Sequence, residues 1–347
     1  MSNNKIAYPT SMKDQYDPST NVTFNLSMEN QELIPGSIAI SGKFTYSGDN
    51  GSAVYLDPLV GAHAFIDNII QSSDLLGNQP TVDGYGRYVK LRRLCNWDKS
   101  DAILNQGKEW SSPTGNAAWF NGQYFLIKPK ISFNNASANL SYSKFGNISI
   151  QLYLPAIQNI FSIATAQAGF TYKIENLKLS YQTVKDSGNK GQVVMKTSAY
   201  GLHSMVSNNQ IISQNVGGMV VDAFLNCFQS QADAIDVTKN PFALGNPAVT
   251  EVSFQFNDQD NALLANSYKT PEEISVNAVA SFNRNNMTKY WLDGSDMQSF
   301  VTSPLVGLQL PAPVNLANNR LTQDIMSNAA NNNKSNCHTY YEGVSVL

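Results

Sequence analysis

The chain has 347 residues, 42% of them hydrophobic and 10% aromatic, but only 14% are Asp, Glu, Lys or Arg, and the formal net charge is −3. That is ample apolar material for one large or two ordinary domains, and it excludes a globally disordered chain. The charged fraction lies well below the roughly 25% of an ordinary soluble domain. An acidic balance, with Lys5 and Lys13 as the bases of the first twenty residues, argues against a polybasic arm that would bind a nucleic acid.

The elements follow in chain order. Residues 1–20 are polar, hold Pro9 and Pro18, and read as an extended N-terminal arm. Strands are expected over 22–28 and 37–46. In the second of these, Ile38, Ile40, Phe44 and Tyr46 alternate with Ala39, Ser41, Lys43 and Thr45, the period of a half-buried strand. Residues 56–70 fit a short helix or a buried strand equally well. Residues 72–118 carry Gly84, Gly86, Pro113 and Gly115 and read as a long loop-rich connection. Strands resume over 123–133, 138–143 and 147–154. In the last, Ile148, Ile150, Leu152 and Leu154 share one face.

A connector leads to about residue 169, and a second β series is expected to open over 172–181. There the apolar phase switches between Ile174 and Leu177, which predicts a β-bulge. A strand follows over 193–200. Residues 211–234 read as a helix, because Val216, Met219, Val220, Phe224 and Phe228 recur at helical spacing. Strands are expected over 251–257 and 274–282, then an extended Pro-bounded piece over 303–313, and an Asn-rich mobile tail over 328–336. The whole reads as an all-β chain of two sandwich-sized halves with one or two short helices. Its divisions are an arm at 1–20, a first half at 21–165 and a second at 166–347.

A search for chemistry yields no catalytic, cofactor-binding or metal-binding residue to nominate. His63 and Asp67 are four apart, as on one helix face, and read as a surface hydrogen-bonded pair. Cys337 and His338 are adjacent, so a strand would send them to opposite faces, and they lack the paired spacing of zinc sites. Asp258-Gln-Asp-Asn261 lacks the Gly and the closing Glu of a calcium loop. Gly84-Tyr-Gly-Arg87 lacks the third Gly of a dinucleotide fingerprint. Lys90, Arg92 and Arg93 form the densest basic cluster and read as a solvated edge. The cysteines Cys95, Cys227 and Cys337 are odd in number and far apart, which suits reduced thiols. No apolar run reaches the roughly 20 residues that span a bilayer, and the first residues lack the apolar core of a secretion signal.

Several segments resemble the double jelly-roll capsid proteins of icosahedral viruses, including tailless, membrane-containing ones. Phe24-Asn-Leu-Ser27 with Leu33-Ile-Pro-Gly-Ser-Ile-Ala-Ile-Ser-Gly42 is similar to the opening strand pair of the first roll, and Asp57-Pro-Leu-Val-Gly-Ala-His-Ala-Phe-Ile-Asp67 to the element after it. Tyr172-Lys-Ile-Glu-Asn-Leu-Lys-Leu-Ser-Tyr181 looks like the strand that opens the second roll. Val249-Thr-Glu-Val-Ser-Phe-Gln-Phe-Asn-Asp258 looks like one of its inner strands. The resemblance implies two consecutive eight-stranded jelly rolls and a structural, non-enzymatic major capsid protein without cofactors. It further implies a homotrimer that tiles an icosahedral shell beside neighbouring capsomers, vertex and minor capsid proteins, over a viral membrane reached through the N-terminal arm. The protein would be made in the host cytoplasm, reside in the virion and make no direct contact with nucleic acid. The other readings open at this stage are a vertex (penton) or minor shell protein and, from other classes, a carbohydrate-binding or adhesin β-sandwich and a β-rich hydrolase.

Overall fold

A computed structural model of the chain describes residues 2–96, 117–118, 121–188, 190–245, 247–257, 268–270, 273–274, 277–278, 281, 305–317, 319–328 and 334–347. Its described strands form five antiparallel sheets. The largest runs Gln123–Ile127, Ala39–Ser47, Thr171–Lys185, Gln31–Leu33, Leu140–Ser141, and the short strands Asn3–Ala7 and Gln15–Tyr16 also pair with Thr171–Lys185. A four-stranded sheet runs Asn21–Leu26, Ile148–Tyr153, Asn68–Ser73, Gly77–Val82, and a small one joins Phe161–Ile163, Val54–Leu56 and Ala117–Ala118. In the second half, one sheet runs Val194–Met205, Ser335–Val346, Val220–Ser230, Val306–Asn315. The other runs Asn209–Gln214, Leu321–Ser327, Val249–Phe256.

Strict alternation buries Ile148, Ile150 and Leu152 and leaves Ser149, Gln151 and Tyr153 half-buried, as a sheet with one covered face requires. The first core centres on an aromatic group. Phe44 stacks on Phe65 at 4.0 Å and on Tyr172 at 5.0 Å, and meets Phe161 edge-on at 5.4 Å. The expected bulge is present. The pairing of Thr171–Lys185 with Ala39–Ser47 shifts register between Glu175 and Lys178, and Asn176 adopts φ +53°, a conformation Asn tolerates better than most residues.

Several expectations need correction. The 172–181 strand pairs with strands that precede it in the chain. It lies within the first half's largest sheet, hydrogen-bonded to Ala39–Ser47, Gln31–Leu33 and Asn3–Ala7. The N-terminal arm is likewise a docked strand, with Lys5 opposite Tyr181, and Tyr16 is buried. Residues 56–70 contain both alternatives in turn, a 3₁₀ helix Gly61–Phe65 and then the strand Asn68–Ser73. Inside the supposed loop 72–118 lie the strand Gly77–Val82 and a three-turn helix, Tyr85–Asn96.

The helix expected over 211–234 is two strands, with only the turn Gln231–Ile235 helical. Of its apolar positions Val216, Met219, Phe224 and Phe228 are nonetheless core, while Val220 is half-buried and Ile211 exposed. A bulge between Val221 and Ala223 shifts the phase, so Met219, Val221, Phe224 and Phe228 face one cluster while Ala223, Leu225 and Cys227 face the other. A bulged strand buried on both sides thereby imitates helical spacing. The reverse happens at 274–282. Its described residues Ile274, Asn277, Ala278 and Ser281 are helical, with Ile274, Ala278 and Ser281 buried and Asn277 half-buried, and the other positions lie outside the described residues. Of the tail expected over 328–336, residues 329–333 lie outside the described residues, and from Ser335 the chain is a strand. Ser335–Val346 is an inner strand, paired on both sides with Val194–Met205 and Val220–Ser230.

Candidate functional site at the seam between the halves

The sheet containing Val220–Ser230 and Ser335–Val346 covers the second half's own core with one face. Its other face, carrying Ala223, Leu225, Cys227 and Tyr340, joins the apolar cluster of the first half. Into this seam runs the helix Tyr85–Asn96. Two glycines permit the approach. Gly84 has φ +56° and its carbonyl accepts the Tyr340 hydroxyl at 2.9 Å, and a Cβ on it would lie 2.7 Å from that hydroxyl. A Cβ on Gly86 would lie 2.7 Å from the Phe242 ring.

The helix has no solvated face of the ordinary kind. Tyr85, Tyr88, Val89, Leu91 and Cys95 are buried, and so are Arg87, Lys90 and Arg93, each under 10% exposed. The basic cluster expected at a solvated edge is therefore an interior feature, and a buried charge persists only when paired and hydrogen-bonded. Arg87 Nη2 donates to Gln229 Oε1 at 2.8 Å and to the Pro241 carbonyl at 2.7 Å. Lys90 Nζ meets Asp57 Oδ2 and the Phe242 carbonyl, both at 2.8 Å. Arg92 Nη1 and the Tyr88 hydroxyl hold the two oxygens of Glu342, each at 2.8 Å. Arg93 Nη1 donates to the Leu59 and Val60 carbonyls. Arg87, Tyr88, Lys90 and Arg92 thus reach second-half partners, and the network fixes one orientation of one half on the other.

The electrostatics agree with the geometry. Burial alone would raise the Asp57 carboxyl, but the charge and hydrogen bond of Lys90, with hydrogen bonds from Asn240 and Leu59, hold it below its ordinary value. Burial opposes the Arg92 charge, and Glu342 outweighs it. His338, whose Nδ1 pairs with the Tyr200 hydroxyl at 2.8 Å, is driven down to about 2 by burial and then by Arg87. A cleft of about 290 Å³ opens beside the helix, bordered by Asp67, Asp83, Arg87, Tyr200 and His338 among others. Burial raises both carboxyls, and the Asp83 charge adds to the rise at Asp67.

Other residues singled out from the sequence fall as follows. His63 and Asp67 do not share a helix, since the 3₁₀ turn ends at Phe65. His63 is buried with Nδ1 at 2.9 Å from the Tyr85 hydroxyl. Cys337 and His338 do point to opposite faces of a strand, Cys337 into the second core and His338 toward Tyr200. All three cysteines are free and buried. Gly84-Tyr-Gly-Arg87 is the helix entry just described, and Asp258–261 lies outside the described residues. Among the described residues no group of three His, Cys, Asp or Glu is placed to hold a metal ion, and no helix is long and apolar enough to cross a membrane.

No family model matches the sequence, and no curated protein matches it. Solved structures do match. The chain is similar to the Faustovirus major capsid protein with a TM-score of 0.63 at 10% identity, covering 100% of this chain and 90% of that one. PBCV-1 VP54, fitted into a reconstruction of the virophage Sputnik, gives 0.64 at 10% identity over 100% and 95%. The mavirus major capsid protein gives 0.54 at 11% identity over 98% and 86%. At such identities likeness speaks of architecture, and it speaks for the full length: the chain has the double jelly-roll fold.

Proposed function

We propose that the chain is a viral major capsid protein that acts by self-assembly, as a homotrimer whose six rolls form one pseudo-hexagonal block of an icosahedral shell. The observation that carries this reading is the double jelly roll over the whole chain, shared with proteins described as major capsid proteins. The seam supports it, because a shell tile has to transmit load between its rolls without hinge motion. A surface poor in charge supports it as well, since the cores of protein interfaces are depleted of charged residues. Exposed Tyr8, Met12 and Tyr124 border one groove of about 540 Å³. We assign such faces, with exposed Leu202, Ile211 and Met326 of the second half, to contacts with neighbouring subunits, capsomers, and vertex or minor proteins.

The division between rolls belongs at about residues 186–193 in this reading, rather than near 165, because Thr171–Lys185 pairs throughout with first-half strands. The N-terminal segment then works as part of the first roll and not as a free arm. The protein would be made in the host cytoplasm and reside in the virion, acting as a structural component and not as an enzyme. Size-exclusion chromatography with light scattering tests the reading. A stable trimer is expected, a pentamer would mark a vertex protein, and a monomer that binds glycans would overturn both.

A further inference from the structure

The Lys90–Asp57 pair has a third member that charge balance does not require. Asp57 Oδ2, which accepts from Lys90 Nζ at 2.8 Å, also accepts from Asn240 Nδ2 of the second half at 2.7 Å. The Asn240 carbonyl oxygen is held in turn by the Phe242 backbone N–H at 2.9 Å, and Asp57 Oδ1 by the Leu59 N–H at 2.8 Å. Lys90 and Asp57 side chains are 10% and 2% exposed. An amine, a carboxylate able to carry a proton and a polarised carboxamide therefore converge on one buried oxygen atom, with Asn240 itself half-buried. That is the set acyl transfer requires: nucleophile, acid–base group, electrophile and a donor for the developing oxyanion.

We propose that Lys90 and Asn240 form an intramolecular isopeptide bond, with Asp57 as the proton carrier, that ties the first half covalently to the second. The resting pair is ionic. Reaction starts when a proton crosses the 2.8 Å hydrogen bond from Lys90 Nζ to Asp57 Oδ2. The neutral amine then attacks Asn240 Cγ. The Phe242 N–H stabilises the negative oxygen of the tetrahedral carbon. Asp57 passes its proton to Nδ2 and takes the second proton from Nζ as the Cγ–Nδ2 bond breaks. Ammonia departs and carries that proton away as ammonium. One C–N bond forms and one breaks, with no change of oxidation state. Asn240 is followed by Pro241, which has no backbone N–H, so attack by the next backbone nitrogen is closed to this residue. An ammonia loss mapped to Asn240 reports another nucleophile.

Mass spectrometry of the purified full chain tests the bond, with an Asn240→Ala chain prepared in parallel as the unlinked reference. The native chain is expected to be lighter than its sequence mass by one ammonia. Its tryptic digest should contain a branched peptide that joins the Lys90 and Asn240 segments and is uncut after Lys90. An Asp57→Ala chain should keep its full mass. A native chain of full sequence mass, with separate linear peptides ending at Lys90 and containing Asn240, overturns the proposal. So does an ammonia loss that maps elsewhere, and a branched peptide formed equally well by Asp57→Ala overturns the role given to Asp57. The presence or absence of the bond is read on the native chain alone, so a variant that fails to fold does not blur the result.

Discussion

The first roll's core and the seam beside it solve the same problem with different chemistry. Around Phe44, cohesion comes from rings of Phe65, Phe161 and Tyr172, contacts that depend on volume and tolerate small rearrangement. Around the helix Tyr85–Asn96, cohesion comes from charged and polar groups with fixed partners. Apolar packing holds a roll together, whereas a directional network specifies how two rolls stand side by side.

Mutations can break this comparison. Phe44→Ala should have the largest effect, about 3–5 kcal/mol of lost stability from transfer and cavity terms, read as a lowered midpoint in chemical denaturation. Glu342→Leu should cost about 2–3 kcal/mol, because it leaves the Tyr88 hydroxyl and Arg92 without their shared acceptor. Its distinguishing mark is a loosened seam with both rolls intact, visible as faster hydrogen exchange in the Tyr85–Asn96 helix and Ser335–Val346 strand before global unfolding. Equal exchange in all strands would erase the distinction between core and seam.

Acid gives a smaller effect of known sign. His338 titrates at about 2 when folded and at its ordinary 6.5 when free, so the unfolded chain binds the extra proton first. Its contribution is complete above pH 6.5 and is lost as pH falls toward the folded value. His338→Gln should therefore flatten the decline in stability between about pH 6.5 and 5. The smallest effect belongs to Lys43→Ala. Its pair with Glu175 is about one-third exposed on each side, and such surface pairs contribute about 1 kcal/mol or less.

The contrast between core and seam also explains what the sequence disclosed. Strands with one covered face, such as Ile148–Tyr153, announced themselves through alternation, and the bulge near Asn176 showed as a phase switch. Strands buried on both faces lost that signal. Val220–Ser230 then resembled a helix, and Ser335–Val346, seen behind an Asn-rich run, resembled a tail. The helix Tyr85–Asn96 was hidden for a related reason. Arg87, Lys90 and Arg93 are buried, so it offers no contrast between an apolar and a polar face. Lys90, Arg92 and Arg93 looked solvated because their partners, Asp57, Leu59, Val60, Phe242 and Glu342, all lie more than thirty residues away. Glycines beside a basic run, Gly84 and Gly86, were the one local hint that two surfaces meet closely there.

Electron cryomicroscopy of the purified oligomer tests the central claim most directly. A threefold particle is expected, in which each subunit contributes two upright rolls held rigidly together, giving a pseudo-hexagonal outline of six lobes. Single-lobed subunits, or paired rolls that vary in orientation from particle to particle within isolated monomers, would contradict it.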